Sequence, residues 1–258
     1  MSWSTDADDL SMDVSFWYQG LHKPSYPQHQ LGDLANELSG KFRAFGIMLL
    51  LGEAKSDLFL HNLMRSARMR LTYLERMQQA GISNDFFQAS GHYQPVLAGI
   101  AAEDYVTVAA LYSLSANDLQ LGEYEDDRCY AQILFRLAAL APCPVADYQV
   151  FVDEYLDVID GMECPRLDVV RSIIAGDQDE FDTAFSDFLD EFEDNVDKAV
   201  ERAQHETPLV LAERAVCIEG LAMLRLADKH GLATEREYPY CPSLARLPMV
   251  TPLVELPR

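Results

Sequence analysis

The sequence predicts an all-α fold: a single-domain bundle of about eight helices that ends in an extended, proline-rich tail. Three observations lead to this prediction. From about Asp33 onward, apolar residues recur three and four positions apart, which is the period of an amphipathic helix. Glycines interrupt this pattern where helices are expected to end, and no segment alternates polar and apolar residues for long enough to indicate a strand. Apolar residues make up 49% of the 258 positions, so the chain can bury a sizeable core.

The helical pattern covers eight segments of the chain. Residues 1–30 precede them, mix acidic, aromatic and turn-forming residues, and are expected to be irregular. The predicted helices are 33–51, 54–80, 95–114, 126–141, 145–160, 166–175, 178–204 and 208–230. Five glycines are expected in the left-handed conformation that suits a helix end: Gly81, Gly122, Gly161, Gly176 and Gly231.

The seventh predicted helix begins at Asp177, and Glu180 follows three residues later, as in a capping box. Its apolar residues fall on one stripe of the helix: Phe181, Phe185, Phe188, Leu189, Phe192 and Val196. Acidic residues occupy most of the remaining positions. We therefore expect this helix to be anchored in the core on one side and to be anionic on the other.

The eighth predicted helix begins with Thr207 as its N-cap and Pro208 at its first position. It ends in Lys229 and His230, which suit the negative end of the helix dipole, and then in a glycine and a leucine that are typical of a Schellman stop. Apolar residues surround most of its circumference. This pattern predicts a central, largely buried helix.

The tail from Tyr238 to Arg258 contains five of the twelve prolines, which prevent it from forming a continuous helix. Its leucine, valine and methionine residues indicate an extended strap that packs over the bundle. Because no linker separates two parts of the chain, residues 1–258 are expected to form one helical domain.

Negative charge is concentrated in one stretch of the chain. Between Asp147 and Asp197 there are seventeen Asp and Glu residues against two Arg residues, which is a net charge of −15 out of −22 for the whole chain. Such crowding opposes the compact state through self-repulsion, so it indicates a role outside the core. The sign of the charge argues against nucleic acid and anionic membranes as ligands and favours a basic protein partner.

The five cysteines are widely spaced and form no CxxC pair, which favours reduced thiols in a cytoplasmic protein. The N-terminus is acidic where a secretion signal would be basic and apolar, and the longest aliphatic run is too short to span a membrane. We expect a cytoplasmic protein.

The common catalytic motifs are missing, including HExxH, the P-loop, GxGxxG and GxSxG. We therefore predict no catalytic residue, no metal ligand and no cofactor. Glu154 and Asp157 lie one helical turn apart and could share a metal, but a solvated face is the favoured interpretation. His61 is expected to be a packed or surface histidine and not a ligand, and Cys217 is expected to be a small core residue. His92 is a site candidate that has no partner in the sequence.

Three motifs in the C-terminal half occur in a recognisable order. The first, 165–168, leads to 174–177 and the phenylalanine-rich helix; the second is 218–227; the third joins 231–232 to 237–239 and 241–246. Over roughly residues 145–246 the chain resembles the immunity protein 49 family of bacterial polymorphic-toxin systems. The first 140 residues fit this family only in being helical. A second helical immunity family, which guards against a nuclease toxin, ends in a similar helix and tyrosine–proline turn.

The resemblance implies an all-helical cytoplasmic antidote that is not an enzyme and that binds and neutralises a cognate toxin, often one delivered by type VI secretion. Charge then predicts a basic toxin, with a nuclease as the leading candidate, and tyrosines such as Tyr148 or Tyr155 as anchors. The predicted contact residues are Asp177, Asp179, Glu180, Asp187, Asp190, Glu191, Glu193 and Asp194, with Glu154 and Asp157 as a second row.

Two alternative functions stay open at this point. A helical enzyme would assemble its site from scattered carboxylates and histidines, and its fold would show a concave pocket where they converge. An acidic scaffold protein would have no toxin partner at all. Oligomeric state and the mode of inhibition have no signal in the sequence.

Overall fold

The computed structural model describes residues 3–83, 85–202 and 207–256. Within these ranges the fold is all-α, as predicted, and it contains no β-strand. Its helices are α1 (Trp3–His22), α2 (Leu31–Glu53), α3 (Ser56–Gln79), α4 (Gln94–Ala101), α5 (Tyr105–Leu114), α6 (Glu125–Leu137), α7 (Val145–Ile159), α8 (Pro165–Ala175), α9 (Gln178–Arg202), α10 (Pro208–Ala215) and α11 (Ile218–Lys229). None of the helices in the described part is long and apolar enough to cross a bilayer.

The prediction of an irregular N-terminus was wrong, because α1 occupies most of residues 1–30. Val14, Tyr18 and Leu21 recur four and three positions apart, and all three are buried in the main core. Lys41 of α2 forms an ion pair with Asp13 and so joins the two helices on their polar side. The helical period was present in the sequence, but the acidic residues around it obscured it.

The predicted helix 95–114 is two helices, α4 and α5. Between them Glu103 adopts a left-handed conformation with φ of 58°. Asp104 then starts α5, since its carboxylate accepts hydrogen bonds from the backbone N–H and the hydroxyl of Thr107. The cap was a local signal for the break, and the apolar periodicity on both sides of it concealed the break.

The predicted helix 208–230 is also two helices, α10 and α11. Thr207 caps α10 as predicted, with its hydroxyl accepting from the backbone N–H of Val210 at 3.4 Å. Cys217 caps α11, because its sulfur accepts from the backbone N–H of Gly220 at 3.2 Å. Cysteine is rare as an N-cap, so the sequence did not predict that a second helix begins after Cys217.

The helices enclose one continuous core. Helices α2 and α3 pack side by side, α1 and α10 cover α2, and α4 joins α3 to α11. Helices α6 and α7 form a second pair, and α8 and α9 a third. The prediction of a buried central helix is confirmed for α11, whose buried residues are Gly220, Leu221, Ala222, Met223, Leu224, Leu226 and Ala227.

The end of α11 follows the predicted Schellman pattern, with the backbone N–H of Leu232 bonded to the carbonyl oxygen of Ala227 at 3.0 Å. All five glycines expected in the left-handed region have φ between 67° and 86°. The Nζ atom of Lys229 lies 2.9 Å from the carbonyl oxygen of Ala139, just past the end of α6. The Nε2 atom of His230 lies 2.9 Å from the carbonyl oxygen of Leu137, the last residue of α6. These basic residues therefore stabilise a neighbouring helix end as well as their own.

The phenylalanine stripe of α9 is confirmed as its buried face. Phe181 and Phe185 stack with their ring centroids 5.5 Å apart, and the rings of Phe185 and Tyr238 pack edge to face with centroids 5.0 Å apart. At the start of the helix, the Asp177 carboxylate accepts from the backbone N–H of Glu180 at 3.2 Å. The stripe thus fixes α9 to the core and to the segment that follows α11.

The C-terminal segment runs as the predicted extended strap over its described part, apart from a short 3₁₀ turn at 243–246. The carboxylate of Asp57, in the first turn of α3, accepts from the backbone N–H groups of Val250 and Thr251 at 2.9 and 2.8 Å. The Nε2 atom of the His61 ring forms a hydrogen bond with the carbonyl oxygen of Thr251 at 2.9 Å. His61 is therefore packed, which is one of the two environments expected for it.

The strap should loosen from α3 in acid. The hydroxyl of Thr251 and the backbone N–H of Val250 hold the pKa of Asp57 below its ordinary value of 3.8. A depressed pKa means that these contacts are intact above the unfolded pKa and are lost as pH falls through the lower folded value. In an NMR titration, the amide resonances of Val250 and Thr251 should change with a midpoint below 3.8. Asp57→Ala should abolish this transition, and a midpoint at or above 3.8 would contradict it.

Candidate partner-binding surface

The acidic side of α9 is an exposed face on a rigid helix of 25 residues, about 37 Å long. Its stripe of phenylalanines points into the core, so the positions on the opposite side of the helix must face solvent. Six of the predicted contact residues lie there and are all exposed: Asp179, Glu180, Asp187, Asp190, Glu191 and Asp194. We call these six residues the α9 acidic face.

Few cations neutralise the α9 acidic face. In the described part of the chain, its one ion pair joins Asp194 to Lys198 at 3.8 Å. Of the two arginines in the acidic stretch, Arg171 is paired with Asp168 on α8 at 3.2 Å. Arg166 is paired with Glu219 near the core. The carboxylates of this face are therefore available to a partner.

The other predicted contact residues have different surroundings. Glu193 is exposed at the edge of α9, where the hydroxyl of Tyr240 donates to its carboxylate at 3.2 Å. Glu154 is half-buried and forms a 2.6 Å ion pair with Arg128 of α6. Asp157 is exposed on α7. Glu154 thus joins α6 to α7, and the predicted second row contains one exposed carboxylate.

A groove of about 550 Å³ lies between α7 and α8 and reaches the start of α9. Its wall on α7 includes the exposed apolar residues Val145 and Leu156. The other side carries the carboxylates of Asp177 and Glu180 and the ion pair between Asp168 and Arg171. The groove joins apolar surface to the acidic surface, which is the combination that an amphipathic basic segment needs.

The expectation that Tyr148 and Tyr155 are exposed anchors was wrong. Both are buried, because they follow the inward stripe of α7 with Val152. The hydroxyl of Tyr155 accepts a hydrogen bond from the sulfur of Cys164 at 3.5 Å. Their spacing of seven residues was a sign of a core-facing stripe that the surrounding acidic residues hid.

Sequence reasoning missed an apolar surface in the loop before α6. Leu121 is 98% exposed and Tyr124 is 75% exposed. The loop is held in place by Glu123, whose carboxylate accepts from the backbone N–H groups of Gly91 and Gln120 at 2.6 and 2.9 Å. Tyrosine is enriched in interface hot spots, so Tyr124 is a candidate anchor, with Leu121 as apolar surface beside it.

A cavity of about 700 Å³ opens between α2, α4, α9 and α10 and the first turns of α8 and α11. At its floor, Arg166 donates to the hydroxyl of Tyr93 at 2.9 Å and pairs with Glu219 at 3.2 Å. Its guanidinium also lies over the ring of Tyr130, 4.9 Å from the centroid. Two of the motifs that carry the family resemblance, 165–168 and 218–227, meet at this ion pair.

Electrostatics support a structural role for this network. Burial disfavours the charge of Arg166, but the Glu219 carboxylate more than compensates and raises the pKa of Arg166 above its ordinary value. Burial is also the main cause that raises the pKa values of Tyr93 and Tyr130. The arginine therefore stays charged and the tyrosines stay neutral, and the network joins α4, α6, α8 and α11.

His92 borders the same cavity and stacks on Phe87, with ring centroids 5.2 Å apart. Burial, followed by the nearby charge of Arg70, lowers its pKa to about 4, so the imidazole is neutral at pH 7. No described group hydrogen bonds to its Nε2 atom. No group of three or more potential metal ligands occurs among the described residues.

The carboxylates that line the cavity are all paired with cations. Glu219 meets Arg166, and Glu213 lies 3.2 Å from Arg43. Glu37 lies 2.9 Å from Lys41. A general base needs a carboxylate that can take up a proton near neutral pH, and such ion pairs favour the charged form.

Comparison with known proteins gives one result. A family model described as immunity protein 49 matches residues 60–245, which is well over half of the chain. No curated protein and no solved structure shows significant similarity. The match includes α4 to α11, the α9 acidic face, the groove and most of the cavity, and it extends the resemblance found at residues 145–246 toward the N-terminus. The chain therefore belongs to the immunity protein 49 family.

Proposed function

We propose that this immunity protein neutralises a basic toxin in the cytoplasm by binding it through the α9 acidic face and the adjoining groove. Family membership supports an immunity role, and the partner of an immunity protein is a toxin. The observation that carries the finer proposal is the α9 acidic face itself. Six exposed carboxylates lie on one side of a helix whose other side is fixed in the core.

The charge of this surface favours a nuclease as the toxin. A nuclease must present positive charge to the phosphates of its substrate. Carboxylates arranged along a rigid helix can occupy such a surface, accelerate association and reject partners of the same sign. Because α9 is already ordered by its buried phenylalanines, little conformational entropy is lost when the toxin binds.

Apolar contacts are needed as well, because exposed ion pairs contribute little affinity. Val145 and Leu156 provide them in the groove next to Asp177 and Glu180. In this arrangement the carboxylates set the association rate and orientation, and the apolar groove limits dissociation.

The alternative of a helical enzyme has one observation in its favour, the cavity that His92 borders. Its carboxylates, Glu37, Glu213 and Glu219, are all paired with cations, which weakens that alternative. An acidic scaffold role explains the exposed charge but gives no reason for an apolar groove beside it.

Co-expression tests the proposal. The toxin gene next to the gene of this protein should stop growth when expressed alone, and the full-length protein should restore growth and copurify with the toxin. A toxin with a high isoelectric point and DNase or RNase activity is expected. If the protein rescues growth by chemically modifying the toxin without forming a complex, the binding proposal is wrong.

A further inference from the structure

The cavity of about 700 Å³ falls within the roughly 300–1,000 Å³ range of ligand pockets. Four helices and the first turns of two others contribute to its walls, so its shape is set by the tertiary fold. Neither the proposed α9 interface nor the packing of the core explains why this space is open.

Gly40 is an unusual feature of the cavity wall. Helix α2 contains four glycines, and two of them, Gly32 and Gly46, are required by packing. A Cβ at Gly32 would clash with the ring of Phe87, and a Cβ at Gly46 would lie 3.1 Å from the backbone of α3. At Gly40 the nearest atom is Nη2 of Arg43 at 3.6 Å, an ordinary contact. Glycine is disfavoured in a helix interior relative to alanine, and the fold alone does not require it here.

The chemistry of the walls favours a cationic occupant. The carboxylate side chains of Glu37 and Glu213 are 57% and 40% exposed. The guanidinium side chains of Arg43 and Arg166 are only 15% and 27% exposed, and each is already paired with a glutamate. Glu37 and Glu213 are paired too, with Lys41 and Arg43, but they are the more exposed partners of these ion pairs, so an incoming group meets hydrogen-bond acceptors first.

We infer that the cavity is a binding site for an arginine side chain that a protruding segment of the toxin inserts between α2 and α10. This inference rests on the proposed function for its source of arginine. A guanidinium supplies five donors in a planar array, which suits the exposed carboxylates of Glu37 and Glu213. Phe192 of α9 also lines the cavity and provides an aromatic surface for the apolar stem of the arginine. Gly40 keeps the room that the inserted side chain needs.

An arginine peptide tests the site without the toxin. The probe is acetyl-Gly-Arg-Gly-amide, and its control has citrulline in place of arginine, which is neutral and nearly the same shape. Titrated into the full-length protein, the arginine peptide should shift the backbone amide resonances of Gly40, Gln94 and Val216, and the citrulline peptide should shift them at least about tenfold less, in line with a lost charged contact. Equal shifts from both peptides, or shifts produced instead by inorganic phosphate, overturn the inference.

Cavity-filling variants provide the second test. Gly40→Leu places an isobutyl group in the cavity and should abolish the peptide-induced shifts. Gly40→Ala is the matched control: it should retain peptide binding and raise the melting temperature by about 2–4 °C, because it only improves helix propensity. Leu209→Trp fills the cavity from α10 and decides the result if Gly40→Leu does not fold. Undiminished peptide binding by a folded filled variant contradicts the inference.

The two proposals fail in different ways. If the wild type captures the toxin and Gly40→Leu captures it with the same dissociation rate, the cavity inference is wrong and the proposed function stands. If the wild type captures no toxin, the proposed function is wrong, and the peptide titration still decides whether the cavity binds a guanidinium group.

Discussion

Reversal of four carboxylates to lysine on the α9 acidic face, at Asp187, Asp190, Glu191 and Asp194, is expected to slow association with the toxin by about 100-fold at low salt. Each reversal adds two positive charge units, so the net charge becomes less negative and changes from −22 to −14. The effect should be largest at low ionic strength, because salt screens the attraction between exposed charges. The free energy of unfolding should not decrease, since these side chains are exposed and belong to a crowded set of like charges.

Stopped-flow association rates across a salt series measure this effect, with thermal melting as the check on folding. A matched control reverses four exposed carboxylates on α2, α3 and the loop before α6: Asp33, Glu53, Glu75 and Asp118. This control has the same net charge but keeps the α9 acidic face. If both variants slow association equally, overall charge attracts the toxin and α9 is not the interface.

Arg166→Met is expected to lower the free energy of unfolding by about 3 kcal/mol, the typical cost of removing one partner from a buried ion pair. Glu219 would then lie beside Tyr93 and Tyr130 with no countercharge, although only 18% of its side chain is exposed. Because the network joins α4, α6, α8 and α11, the loss of stability should affect all four helices in one cooperative unfolding transition. Urea denaturation monitored by circular dichroism measures it.

Arg171→Met is the matched control for this prediction. It removes an arginine from the same helix, but one whose ion pair with Asp168 is half exposed on both sides. Its expected cost is below about 0.5 kcal/mol. The double variant Arg166→Met, Glu219→Leu should recover part of the loss, because the unpaired carboxylate is removed as well. Equal costs for the two arginine variants would contradict the structural role of the network.

Much of the fold follows from local rules that the sequence displays. The apolar period located most helices, and the phenylalanines of α9 identified its buried face. Proline content predicted the extended strap after α11. The errors also have local causes: acidic residues hid the apolar stripe of α1, apolar periodicity on both sides concealed the start of α5 at Asp104, and the cap of α11 at Cys217 is of a rare type.

The candidate site was predicted less completely. Linear charge density located the α9 acidic face, because a helix with one buried side must expose its charged side. It did not separate Glu154, which pairs with Arg128, from Asp157, which is exposed, since that distinction depends on how α6 packs on α7. The seven-residue spacing of Tyr148 and Tyr155 was a sign of their burial that the surrounding acidic residues hid, and the exposure of Tyr124 depends on the loop that Glu123 holds in place.

The sequence by itself determined the all-α class, the acidic surface and the resemblance to a family of immunity proteins, because each depends on residues that are near one another in the chain. Only the tertiary structure decided which charges are free, where the groove lies and that a cavity opens beside Gly40. Arg166 and Glu219 are 53 residues apart, and they form an ion pair because α8 and α11 meet in the packed bundle. Contacts of this kind depend on how helices pack together, and helical periodicity describes each helix alone.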